Sequence, residues 1–135
     1  MVQAVRDANI SPPSLLPALS RIVEMAKLAP NWDGEDADPP TAEAVAAACF
    51  LIEAVAERRQ RLGGIGIPPA TSSPTPDGGL LIEWRGPSAS IDVQANPDGT
   101  LGYLVGWETG SAARYEEADT ASLDAVLALI DRVLD

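Results

Sequence analysis

Carboxylates are the plentiful chemistry of this chain, and they gather in three places. The segment PNWDGEDADPP, residues 30–40, sets Asn31, Asp33, Glu35, Asp36 and Asp38 within eight positions. Such a collection of oxygens suits a hard cation such as calcium. A calcium loop of the EF-hand kind, however, needs a glycine at its sixth position and a bidentate glutamate at its twelfth. Counted from Asn31, those places hold Asp36 and Ala42; counted from Asp33, they hold Asp38 and Ala44. Both registers fail, and no metal site is assigned. The turn reading accounts for more residues. Asn31 and Asp33 can bond their own backbone, and Gly34 supplies positive φ. Trp32 is expected to fold back as a plug over the core. Glu35, Asp36 and Asp38 then form a negative rim.

The second group lies on alternating stretches. In LLIEWR, Glu83 and Arg85 share one face with Leu81, and Asp92 of SASIDVQA can reach them across a strand pair. With Tyr103 as a hydroxyl, this is the best candidate for a carboxylate active site. An ordinary solvated ion pair accounts for the same residues. The third group is Glu116, Glu117 and Asp119, in a region (residues 92–135) where nine acidic side chains meet only Arg114 and Arg132.

Composition narrows the chemistry further. The chain has 135 residues and no histidine, which removes the usual base of a nucleophilic triad and the imidazole metal ligand. Cys49 stands alone, so no intramolecular disulfide forms and a structural zinc site is close to excluded. No cofactor is assigned. Twenty acidic against nine basic residues give a net charge of −11, and Lys27 is the single lysine. Phosphate backbones and anionic membranes repel such a chain, and basic protein surfaces attract it. Solubility alone is the plainer account of the same charge. ERRQR (57–61) reads as a helix C-terminus rather than a nucleic-acid patch. GGIG (63–66) follows a helix, the reverse of the strand–loop–helix order that cradles phosphate. No apolar run reaches the roughly 18–20 residues of a membrane span. MVQAVRDANISPP lacks the basic and apolar regions of a signal peptide, so a cytoplasmic protein is expected.

These residues need elements to position them. In SLLPALSRIVEMAKLAP, Leu15, Leu19, Ile22, Val23 and Ala26 recur at helical spacing, with Ser14 as cap and Pro30 as stop. A second helix is expected from Asp38 (N-cap) and Pro39 (first position), burying Val45, Ala48, Cys49, Ile52 and Val55. The period then falls to two. IPPATSSPTP (67–76) is a loop or at best an edge strand. LLIEWR, SASIDVQA and LGYLVGW alternate cleanly, and SAARYEE is a weaker fourth strand. The breaks RGPS, NPDG and ETGS are turn-sized, which makes the strands antiparallel neighbours. A last helix carries Leu123, Val126, Leu127, Ile130, Val133 and Leu134 on one face, capped by Asp119 or Thr120.

The paired motifs NWDG (Asn31, Trp32, Asp33, Gly34) and P-x-PDGG-x-x-x-EW (Pro74 to Trp84, with Asp77, Gly78, Glu83 and Trp84) resemble a set of small bacterial and phage-encoded proteins. Their signature is similar to N-W-D-G-x-G-A-x-P followed by P-D-G-x-(I/V)-x-x-E-W. The resemblance covers roughly residues 15–105 and implies a fold rather than an activity. Asp36 stands here where glycine is usual.

One α+β domain over residues 1–135 is expected, with residues 1–13 flexible. Its form is an antiparallel four-stranded meander with helices packed on one face, in the order α-α-β-β-β-β-α. The missing histidine and the lack of a catalytic motif favour a non-enzymatic acidic protein that binds or inhibits a basic partner, as an immunity protein, an antitoxin or a phage DNA mimic does. Glu35, Asp36, Asp38, Glu116, Glu117 and Asp119 are its candidate contacts. The alternative is a small enzyme or ligand-binding domain using Glu83, Arg85, Asp92 and Tyr103 on the wet sheet face.

Overall fold

The computed structural model describes residues 15–64, 66–110 and 112–135. The expected Ser14 cap and the flexibility expected of residues 1–13 lie outside the described residues. Two helices come first, α1 (Leu16–Met25) and α2 (Ala42–Arg61). The strands β1 (Thr71–Pro74), β2 (Leu80–Arg85), β3 (Ala89–Ala95), β4 (Leu101–Thr109) and β5 (Ala112–Ala121) follow, and α3 (Leu123–Leu134) ends the chain. The sheet runs β1-β2-β3-β4-β5 in chain order, and every neighbouring pair is antiparallel.

The expected meander is present, but it has five strands rather than four. The extra strand, β1, comes from the proline-rich stretch and pairs Thr71–Pro74 with Leu80–Glu83. Proline is tolerated there because an edge strand leaves one row of backbone groups without a ladder partner. The fourth expected strand is also longer than SAARYEE, reaching Ala121. That extension takes up Asp119 and Thr120, so α3 is capped instead by Ser122, whose Oγ accepts the Ala125 N–H at 3.1 Å.

The start of α2 shifts in the same way. Thr41, not Asp38, is its N-cap; Thr41 Oγ1 accepts from Ala44 N at 3.0 Å and donates to the Pro97 carbonyl at 2.6 Å. Pro40 disfavours the helical region for the residue before it, so Pro39 cannot open the helix. On α1 the buried positions are Ala18, Ile22 and Met25, while Val23 is exposed, and the helix stops at Met25, short of Pro30. Pro17 sits in its first turn, where its missing N–H has no partner to lose.

One core joins the three helices to one face of the sheet. Leu80, Ile82, Trp84, Ile91, Val93 and Val105 from the strands meet Ile22, Leu51, Ile52, Val126 and Ile130 from the helices, all fully shielded from solvent or within 1 % of it. Each such aliphatic side chain contributes about 1.5–3 kcal/mol on burial. Trp84 is the buried tryptophan, and its Nε1–H has no partner among the described residues.

Two of the three arginines that close α2 do more than favour its dipole. Arg58 and Arg59 both hold Asp131 of α3, at 2.6 and 3.3 Å, and Arg59 also reaches Asp135 at 2.9 Å. Arg59 and Asp131 are largely shielded from water, so the pairing fixes the end of α3 against α2. The turn after β2 touches the same end. A Cβ on Gly86 would lie 1.6 Å from the Val133 carbonyl oxygen, a separation that only glycine permits.

Candidate functional site

The loop of residues 30–40 is a self-bonded turn docked on a second turn. Asn31 and Asp36 both have left-handed backbones, φ 64° and 66°. Asn31 Oδ1 accepts from Asp36 N at 2.7 Å, and Asp33 Oδ1 accepts from the amides of Glu35 and Ala37 at 2.8 and 3.1 Å. Trp32 is corrected: it is half-buried and outside the core cluster. Its Nε1 donates to the Asp38 carbonyl at 2.7 Å, so it braces the loop instead of plugging the core.

The two tryptophan-containing motifs meet here. Asp38 N donates to the Pro76 carbonyl at 2.8 Å, and Thr41 N to the Gly78 carbonyl at 2.9 Å, with a parallel bridge between Asp38 and Asp77. Asp77 closes its own turn by accepting the Gly79 N–H. Oδ1 of Asn31, of Asp33 and of Asp77 thus each accepts from a backbone amide, that of Asp77 also from the Thr75 hydroxyl, while Glu35, Asp36 and Asp38 are exposed.

The face of the sheet turned away from the helices is built by strand alternation. Leu81, Glu83 and Arg85 of β2 lie beside Gln94, Asp92 and Ser90 of β3; Gly102, Leu104 and Gly106 of β4 follow, and then Glu117 and Tyr115 of β5. Glu83 stands directly opposite Asp92 and accepts from Arg85 Nη2 at 3.0 Å and Thr71 Oγ1 at 3.1 Å. Burial, and then the Glu83 charge, pushes the Asp92 carboxyl above its ordinary pKa, against a lowering effect of Arg85. The structure therefore brings Glu83, Arg85 and Asp92 together as the strand pattern implied. Tyr103 pairs with Val93 and packs against the core, and it also borders the depression that Asp92 lines. The group as it stands is a set of paired charges, with Arg85 and the Thr71 hydroxyl both donating to Glu83.

Toward the β3–β4 turn, this face sinks into a shallow depression. Leu81, Gly102 and Leu104 contribute its apolar floor, and Asp92, Asp98, Glu117 and Asp119 stand around it; no lysine or arginine lines it. Asp98 is held charged by hydrogen bonds from the Thr100 hydroxyl at 2.7 Å and amide at 2.9 Å, which lower its pKa. A β-bulge on β5 brings the Asp119 carbonyl over Gly102, where a Cβ would meet it at 2.5 Å.

The bulge and the alternation divide the expected C-terminal cluster. Glu117 and Asp119 are exposed at the depression. Glu116 points the other way, and its Oε2 accepts from Trp107 Nε1 at 2.6 Å, with the Arg132 guanidinium 4.7 Å from the same indole ring. Sequence reasoning missed Asp98, read only as part of an NPDG turn, and missed Leu104 as floor. The signal was in the hairpin lengths, which set the register that places Glu117 beside Leu104. A second depression, between α2 and the β5–α3 junction, is apolar, with Ala46, Ala47, Phe50, Leu101 and Leu123 along it. Among the described residues no group of His, Cys, Asp or Glu is arranged to hold a metal ion, and no helix is long and apolar enough to cross a membrane.

Comparison of the chain with protein-family models, with curated proteins and with solved structures finds no match.

Proposed function

We propose that this chain is a non-enzymatic binding protein that engages a basic protein through the outer face of its sheet, as an inhibitor of the immunity or antitoxin kind does. One observation carries the reading: four carboxylates surround an apolar-floored depression on an open sheet face, with no cation lining it. A lysine or arginine from a partner would find charge at the wall and room for its methylenes over Leu81 and Leu104. The net charge of −11 acts in the same sense at longer range, speeding encounter with a basic surface. The exposed rim of Glu35, Asp36 and Asp38 is a second, separate acidic patch that can steer the same partner.

The test starts from proteins retained by the immobilised chain at low salt and continues with association rates for each purified candidate. Glu117→Gln/Asp119→Asn should slow association, and Glu35→Gln/Asp36→Asn/Asp38→Asn should slow it less. Both differences should fade as ionic strength rises, because screening acts beyond about 8 Å at physiological salt. If both variants associate at the wild-type rate in low salt, the acidic surface serves solubility and the reading is wrong.

A further inference from the structure

We propose that two copies of this chain join edge to edge through β5, antiparallel about a two-fold axis at Tyr115, into one continuous sheet. The two edges of the sheet differ in a telling way. β1 is four residues long, carries Pro74 and is flanked by Pro68, Pro69 and Pro76, so it is poorly suited to accept another strand. β5 is ten residues long and free of proline, and among the described residues β4 is its one strand partner. The helices contact β1, β2, β3 and β4, and among the described residues no helix packs to a comparable extent on β5.

Charge selects the occupant and the register. A continuous antiparallel sheet requires opposed residues to share a face, so the axis must pass through a residue. With the axis at Tyr115, Arg114 of each copy lies opposite Glu116 of the other on the helix-facing side, and the two Tyr115 rings meet on the outer side. Centring on Arg114, Glu116 or Glu117 would instead set a charge against its own copy, which is unfavourable. The side chains that blunt this edge in other registers are therefore complementary in one. Arg114 is exposed and makes no ion pair among the described residues. Glu116 gives Oε2 to Trp107 and keeps Oε1 for a partner. Tyr115 is 67 % exposed and lies across Gly106 on the outer face. A two-fold axis perpendicular to the sheet makes this interface self-complementary and closed, and it sets both acidic faces on the same side.

Sedimentation equilibrium of the full chain should show a reversible species at twice the chain mass. Arg114→Glu alone and Glu116→Arg alone should each weaken association by about tenfold or more, because each homodimer then opposes like charges twice. An equimolar mixture of the two variants should recover wild-type association, since every cross-axis pair is again opposite in sign. A merely structural role for either residue predicts no recovery. Wild-type chain that stays monomeric up to roughly millimolar concentration overturns the proposal, and leaves the edge to a strand of another protein. A dimer that neither variant weakens overturns it too. Should Glu116→Arg fail to fold, Tyr115→Cys in a Cys49→Ala background decides. Residues opposed across the axis have Cβ atoms about 4.5–5.5 Å apart, close to disulfide geometry, so oxidation should give a covalent dimer. Leu104→Cys in the same background should not; equal cross-linking of both, or of neither, rejects the Tyr115 axis.

Discussion

Adding one carbon at Gly86 tests how closely the sheet and the last helix approach. The Cβ of Gly86→Ala would fall 1.6 Å from the Val133 oxygen, 2.6 Å from its carbonyl carbon and 3.3 Å from Leu134 Cα. Bringing the first contact to 3.0 Å, the shortest a real Cβ tolerates, requires about 1.4 Å of separation. All three obstacles are backbone, so no side chain can rotate out of the way. Gly86 is itself tied by its N–H to the Ala89 carbonyl at 2.8 Å. The cheapest relief is to unwind α3 from Val133 onward. That gives up the burial of Val133, which is 1 % exposed, at about 1.5–3 kcal/mol, together with the Arg59–Asp135 contact. Sliding the whole helix would loosen Val126 and Ile130 as well and costs more. The expected loss is therefore about 2–4 kcal/mol. For a domain with a urea slope of about 1–3 kcal/mol per molar, the midpoint should fall by roughly 1 M or more. Gly34→Ala is the control: its φ is 78° but nothing lies within 4 Å, so it carries only the backbone cost of roughly 1 kcal/mol. Amide exchange at Leu134 and Asp135 should quicken in the Gly86 variant alone. A Gly86→Ala midpoint at or above that of Gly34→Ala would refute the contact between the β2–β3 turn and α3.

Three further outcomes are expected. Trp32→Ala should cost about 1–2 kcal/mol, the worth of one indole hydrogen bond and a half-buried ring; a loss above about 3 kcal/mol in chemical denaturation would restore the core-plug reading. Asp36→Gly should leave stability within about 0.5 kcal/mol, whereas Asp36→Val should lower it by about 1–2 kcal/mol, because φ 66° is hostile to a branched side chain; equal midpoints for the two variants would discount the left-handed turn. Asp92 is easier to protonate in the folded chain, so its contribution to stability is fully present below the ordinary value of about 3.9 and is lost as pH rises through the raised one. Asp92→Asn should accordingly be more stable than wild type at pH 7 and lose that advantage in acid; urea midpoints that coincide at neutral pH would contradict the burial of Asp92 beside Glu83.

Short-range pattern made much of this architecture legible. The alternation of Leu80, Ile82 and Trp84, of Ile91, Val93 and Ala95, and of Leu101 and Val105 marks the buried face, because successive strand residues point to opposite sides. Breaks as short as NPDG force antiparallel neighbours. Helix ends were less legible, since Asp38, Asp119 and Thr120 all have capping side chains and only the neighbouring strand or proline decides which residue caps. Glu83, Arg85 and Asp92 were found together because they share strand parity. Tyr103 has the opposite parity, which sets it against the core, although it still borders the depression beside Asp92.

By itself the sequence determined the order of the three helices and of four of the five strands, the faces of the three central strands, the acidic character and the absence of imidazole chemistry. All of these follow from residue identity or from neighbours a few positions apart. Only the tertiary structure decided that 71–74 becomes an edge strand, that Trp32 braces a loop while Trp84 fills the core, and that Arg58 and Arg59 hold Asp131 of a helix some seventy residues away. It alone divided Glu116 from Glu117 by a hydrogen bond to Trp107, and gathered Asp92, Asp98 and Asp119 around one depression. The physical reason is that burial and pairing depend on which distant surface closes over a side chain, and strand register transmits that choice to every residue along the ladder.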